Sequence, residues 1–285
     1  MAIVRQLSCG PYSLLLERPL VMGIVNVTAD SFSGDGYGLD SVSAVAHGLQ
    51  LVEEGADLLD IGGESSRPGA QPVSCDEELR RVIPVIEQLA ACGLPLSVDT
   101  VKPEVMVAAL AAGATMVNDI KALRSPAAIE ALVDSDAAVC LMHMQNDPAT
   151  MQRQPHYTEV VAEVLAFLGA RAEAAEQAGI GRGRLVIDPG FGFGKNAAHN
   201  LALLRQLVRF KSLGLPLLVG LSRKSLLGQI TGRPVTERLA ASVAAALLAA
   251  QGGADILRVH DVAATKDALA VLQAVTTIED REARL

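Results

Sequence analysis

The chain has 285 residues, 50% hydrophobic and only 3% aromatic, and its 24 Lys and Arg against 32 Asp and Glu give a net charge of −8. That much apolar material excludes intrinsic disorder, and the acidic balance argues against a nucleic-acid or anionic-membrane surface. No apolar run approaches the roughly 20 residues of a membrane span, and the four scattered cysteines form no CxxC pair, which reads as a cytoplasmic protein with reduced thiols and no secretory signal.

In chain order, residues 3–18 read as two short strands around Cys9-Gly10-Pro11, a hairpin placed to cap one end of whatever follows. Eight short apolar runs then recur, at 20–25, 57–62, 95–99, 115–119, 137–143, 184–190, 216–222 and 255–260. They are too short for core helices, and none alternates with period two throughout, so they predict parallel strands covered on both faces. Between and after them, apolar residues recur at three- and four-residue spacing over 41–55, 77–93, 102–113, 125–134, 158–179, 200–214, 236–253 and 262–275. The first three of these close on glycine, as helix C-termini do. Eight strand–helix units without a linker predict one (β/α)8 TIM barrel over 1–285, with the hairpin as an extension. A doubly wound open sheet is the alternative, and its phosphate fingerprints are missing.

Barrel chemistry sits where strands run out at their carboxyl ends. Those ends carry Asn26, Asp60 to Arg67, Asp99, Asn118-Asp119, His143, Asp188, Ser222-Arg223-Lys224 and Arg258-x-His260. One strand-end Asp is most simply a helix cap; polar groups at all eight ends are not. The run PGFGFGKN (189–196) fails as a P-loop, because Pro189 holds the first glycine position and Asn196 follows Lys195. It fails as a dinucleotide fingerprint too, and there is no HExxH or nucleophile elbow. His47, His156 and His199 read as exposed, and His143 has no metal-ligand spacing.

Eight motifs in order, GIVNVTADSFSGDG (23–36), DIGGESSRPGA (60–70), SVDTVKPEV (97–105), VNDI (117–120), LMHMQ (141–145), DPGFGFGKN (188–196), GLSRKS (220–225) and RVHDV (258–262), resemble those of the dihydropteroate synthase family over roughly 20–275. The resemblance implies a (β/α)8 barrel that condenses 6-hydroxymethyl-7,8-dihydropterin diphosphate with 4-aminobenzoate, giving 7,8-dihydropteroate and diphosphate with Mg2+ assistance. It also implies a homodimer, which the nearly all-apolar helix 238–250 would serve. A pterin-binding paralogue without synthase activity, or a barrel that takes methyl groups from a reduced folate, are the alternatives.

Residue by residue, the resemblance assigns the pterin to Asp99, Asn118, Met142, Asp188 and Lys224. Asp188 suits the two adjacent N–H donors of a 2-amino-pyrimidinone edge, and Asn118 offers both a donor and an acceptor. The diphosphate falls to Asn26, Ser66, Arg258 and His260. Two residues apart on a strand, Arg258 and His260 point the same way, toward one anion. The resemblance also makes Asn26 the expected Mg2+ ligand. Ser66, Arg67, Pro68, Phe193 and Ser225 match positions around the aminobenzoate. Lys224, Arg258, His260 and Asp30 are the candidate catalytic groups, with a Schiff base at Lys224 as the rival barrel chemistry. Ser66 stands where the family has Thr. In the first loop Ala29 replaces Pro and residues 34–37 carry a shift. That loop is expected to act as a lid over the reacting methylene.

Overall fold

The computed structural model describes residues 5–28, 41–65, 70–148 and 150–282, with side chains to residue 276. Strands β1 (Gln6–Cys9) and β2 (Tyr12–Leu15) pair antiparallel around Gly10. There follow β3 (Leu20–Asn26), α1 (Ser41–Glu53), β4 (Leu58–Gly62), α2 (Cys75–Leu89), β5 (Leu96–Asp99), α3 (Pro103–Ala111), β6 (Met116–Asp119) and α4 (Pro126–Val133). The second half runs β7 (Ala138–Met142), α5 (Val160–Gln177), β8 (Leu185–Asp188), α6 (Ala197–Arg205), β9 (Leu218–Val219), α7 (Ser225–Thr231), α8 (Leu239–Gln251), β10 (Ile256–Val259) and α9 (Val262–Glu282). Strands β3 to β10 form one parallel sheet in the order β8-β7-β6-β5-β4-β3-β10-β9. A parallel bridge from Ile187 to Leu217 joins β9 back to β8 and closes the ring. This is the expected (β/α)8 barrel with its hairpin.

The apolar strands divide by parity. Val21, Leu59, Val98, Val117, Val139, Ile187 and Leu257 face outward into one continuous core under the helices. Met22, Leu58, Met116, Ala138, Val186, Leu218 and Ile256 face inward. The hairpin seals that inner layer from below: Leu7 and Cys9 are fully buried against it. Burying a leucine side chain there contributes about 1.5–3 kcal/mol. The hairpin is tied down at its edges, by Gly10 N–H to the Asp136 carbonyl at 3.0 Å and by the Arg5 guanidinium on both oxygens of Asp255, at 2.8 and 3.1 Å.

The structure departs from the sequence reading in three places. Helix α7 was not expected; seven residues with Gly228 inside are too few to show a helical period. The stretch 200–214 is not one helix: α6 starts at Ala197, capped by Asn196 with His199 in a reciprocal pair, and 207–213 tightens into a 3-10 segment that ends at Gly214 with φ 65°. His199 is thus a capping residue. Last, regular pairing of β9 shrinks to Leu218–Val219.

Candidate active site

One step of two residues along the inward parity converts the sealed apolar layer into a polar one. Leu58 is followed by Asp60, Met116 by Asn118, Val186 by Asp188 and Ile256 by Arg258. Because strand side chains alternate, each pair shares the lumen face, the polar member nearer the strand's carboxyl end. The lumen therefore ends in side chains capable of chemistry.

Arg258 is the hub of this layer. Its Nε donates to Asp60 Oδ2 at 2.5 Å and its Nη2 to Asp99 Oδ2 at 3.0 Å. Asn118 Nδ2 donates to the same Asp60 oxygen at 3.2 Å. Burial works against the Arg258 charge, but Asp60 and Asp99 outweigh it and hold the guanidinium above its ordinary value. Burial lifts the Asp99 carboxyl well above the carboxylate range, with Arg258 opposing and Asp60 reinforcing. Three buried oxygens in this layer, Asp60 Oδ1, Asn118 Oδ1 and Ser97 Oγ, have no hydrogen-bond partner among the described residues. Buried acceptors left unpaired are costly, and these three sit on the adjacent strands β4, β5 and β6, where added donors would relieve them.

The loop 189–196 forms the opposite wall. Gly190 N–H donates to Asp188 Oδ1 at 2.7 Å. A Cβ on Gly190, at φ 69°, would lie 1.9 Å from the His143 carbonyl oxygen, so only glycine fits that approach. Lys224 donates to the Phe191 carbonyl, and its Nζ stands 4.8 Å from the Phe193 ring centroid. Burial brings Lys224 down to about 8, with Asp188 opposing and Arg258 adding to the fall. Burial likewise raises Asp188, against Lys224 and the Gly190 N–H. Met142 lies buried among Ile120, Met144 and Met151, with Phe193 packed on them.

Asn26, Asp99, Asn118, Met142, Asp188, Phe193, Lys224, Ser225, Arg258 and His260 all fall at the carboxyl ends of strands or just beyond them. Ser225 is the exposed first residue of α7. Asp30, Ser66, Arg67 and Pro68, with the remainder of the first loop at 29–40, lie outside the described residues. Arg258 and His260, both expected at the diphosphate, have different side-chain partners. Arg258 spends two of its donor groups on Asp60 and Asp99, while His260 Nδ1 lies 3.0 Å from Ser222 Oγ.

Two groups were missed by the sequence reading. Asp60 was noted only as one strand-end carboxylate, although it receives both Arg258 and Asn118. Its signal was the apolar-then-charged step at 58 and 60. Lys195 was considered only as a failed phosphate-loop lysine; it is buried at 3% exposure, with Nζ 2.9 Å from His143 Nδ1.

Comparison with known proteins agrees with this geometry. The family described as pterin binding enzyme matches residues 22–260, which makes the molecule a pterin-binding barrel. The dihydropteroate synthase of Escherichia coli (strain K12) is 48% identical over 271 residues, 95% of this chain and 96% of its own length. A solved structure of Xanthomonas albilineans dihydropteroate synthase with 4-aminobenzoic acid is 60% identical, with a TM-score of 0.90 over 96% of this chain and 99% of that one. Another from the same organism, in complex with 7,8-dihydropteroate, is 57% identical with a TM-score of 0.85 over 95% and 98% of the two chains. The chain belongs to the dihydropteroate synthase family.

Proposed function

We propose that this chain is the transferase that joins 6-hydroxymethyl-7,8-dihydropterin diphosphate to 4-aminobenzoate in folate biosynthesis. The bond from the pterin methylene carbon to the diphosphate oxygen breaks, a bond from that carbon to the arylamine nitrogen forms, diphosphate leaves, and the amine gives up one proton. The observation that carries this reading is the acceptor-rich polar layer, with Asp188, Asn118 and Asp60 converging on one pocket beside two cations. A dihydropterin edge is rich in N–H donors, the complement that unpaired buried acceptors need.

In this reading Asp188 accepts the 2-amino group and its neighbouring ring N–H through Oδ2, which makes no bond to a described residue, while Oδ1 stays on Gly190. Asn118 and Asp99 take the remaining ring edge, and Met142 packs on the ring face. Arg258 keeps Nη1 for the diphosphate, since Nε and Nη2 are engaged by the two carboxylates. His260, oriented by Ser222, faces the same leaving group. Lys224 stands over the pterin, where its charge attracts the departing anion, and a pKa near 8 leaves it mostly protonated at neutral pH. Ser66, Arg67, Pro68, Phe193 and Ser225 receive the aminobenzoate, and Asp30 acts at the reacting methylene. An aromatic amine is already nucleophilic, so no strong base is required.

The oxygen set fits Mg2+. Asn26 ends β3 half-exposed, its side chain making no hydrogen bond among the described residues, where no cluster of three His, Cys, Asp or Glu suited to a metal occurs either. A magnesium ion held by few protein oxygens and mostly by phosphate oxygens is the usual arrangement for such substrates. When bound it would neutralise charge on the leaving diphosphate.

The same reading makes the protein a cytoplasmic homodimer. Ile230, Leu239, Leu248, Val271 and Val275 leave apolar side chains exposed on α7, α8 and α9, and the cysteines, Cys9 and Cys140 buried, are all free. No described helix is long and apolar enough to cross a membrane. Incubation of the purified chain with the synthetic diphosphate, 4-aminobenzoate and Mg2+, read by mass for 7,8-dihydropteroate, tests the assignment. Absence of product with intact pterin binding would make it the inactive paralogue.

A further inference from the structure

Lys195 has no substrate role of its own in this reading, yet it is the most enclosed cation of the strand-end region among the described residues. Its Nζ donates to the carbonyls of Gly190 at 2.9 Å and Phe193 at 3.0 Å and lies 2.9 Å from His143 Nδ1. An ammonium has three N–H donors, and they meet these three acceptors, with the His143 carbonyl a more distant fourth at 3.4 Å. No carboxylate is in contact with it among the described residues. The carbonyls it gathers belong to the loop whose Gly190 N–H holds Asp188 and whose Phe191 carbonyl holds Lys224. The loop rests on β7 through the same histidine, whose ring meets Phe167 edge-on at 4.9 Å.

We propose that Lys195 is a positioning residue for the pterin pocket, a buried ammonium that fixes the 189–196 loop and, through it, the aim of Asp188 and Lys224. This rests on the assignment of Asp188 to the pterin. The charge has a second effect. Asp188 is faced by Lys224 from the loop before α7, by Arg258 from β10, by Lys195 from its own loop and by Cys140 from β7. Lys195 in turn faces Asp188, Lys224, His143 and, on α6, His199. Burial pulls Lys195 well below the ordinary lysine range, with Asp188 opposing; where it is protonated its charge favours the ionised form of Asp188, so removing it raises the pH at which the carboxylate forms.

The test compares the wild-type protein with K195M, D188N and H143L, using calorimetry with a bare pterin analogue between pH 5 and 9 and the melting temperature of each. For K195M the expected result is analogue affinity at least tenfold weaker, with the acid limb of binding displaced to higher pH. A merely structural lysine would lower the melting temperature and the fraction of competent protein, leaving the dissociation constant and the pH limb in place; that result overturns the proposal. If K195M does not fold, H143L decides. It keeps the lysine and removes its imidazole acceptor, leaving only carbonyls, and an unchanged affinity in H143L overturns the proposal equally. Should D188N itself leave the affinity intact, the pterin assignment fails instead, so the two failures are distinct.

Discussion

The two ends of the barrel lumen are built from the same strands, one inward-facing position apart, and they obey opposite rules. At the amino end Leu58, Met116, Val186 and Ile256 pack on Leu7 and Cys9 of the hairpin in one apolar cluster. At the carboxyl end Asp60, Asn118, Asp188 and Arg258 follow them, with buried oxygens left unpaired. The sealed end lowers the free energy of the fold through apolar burial. The open end raises it, because desolvated charge and unmet acceptors cost free energy until a ligand arrives. A single parity step separates the half of the lumen that holds the molecule together from the half that works.

The sharpest way to break this comparison is R258M. Asp60 is wholly buried and its cation would be gone, so unfolding free energy should fall by about 3–5 kcal/mol and turnover should vanish. Urea unfolding beside a product assay measures both; unchanged stability would mean that solvent already screens the pair. Leu7→Ala attacks the other end. A cavity there should cost about 2–5 kcal/mol while the Michaelis constants of the folded enzyme stay put, and a comparable loss of pterin affinity would show that the ends are coupled. D188N is smaller in free energy and confined to function. It should weaken a pterin analogue by about 1–3 kcal/mol, ten- to a hundredfold, with little change in melting temperature.

The mildest effect is one of pH, and it takes opposite signs for binding and folding. Lys224 has a folded pKa near 8 against 10.5 for a free lysine. Between those values the unfolded chain holds the proton and the folded one has lost it, so this group's contribution to stability grows as pH rises. Attraction for the diphosphate instead falls as pH rises through about 8. A pH series of substrate affinity should show that alkaline limb, and K224M should remove it together with much of the affinity.

The barrel was legible because strand and helix segments differ in length and period, and the hairpin because Gly10-Pro11 interrupts two short apolar stretches. The broken helix after α6 and the short helix α7 were not, since Gly214, Gly228 and tertiary packing decide them rather than periodicity. The strand-end residues were legible as a collection, and the resemblance gave them roles. What no motif could convey was partnership. That Arg258 divides itself between Asp60 and Asp99 depends on β10, β4 and β5 converging around the ring, and the cage around Lys195 depends on a glycine that lets a loop touch β7. The apolar-then-polar step at alternate positions is the one missed signal that needed no third dimension.

The ring order carries a consequence for how the protein is made. From β3 to β8 each strand pairs with the next one in the chain, so most of the sheet can grow as synthesis proceeds. Closure waits for β10, whose pairing with β3 spans nearly the whole sequence, and contacts so distant in the chain form late. Arg258 rides on that final strand. Until it arrives, Asp60 and Asp99 have no cation to meet, and a ribosome-stalled chain ending before residue 256 carries carboxylates with every reason to stay in water. The residue that completes the electrostatics of the pocket thereby reports that translation has reached the end of the barrel, and a prematurely terminated product should remain open to proteases and bind no pterin.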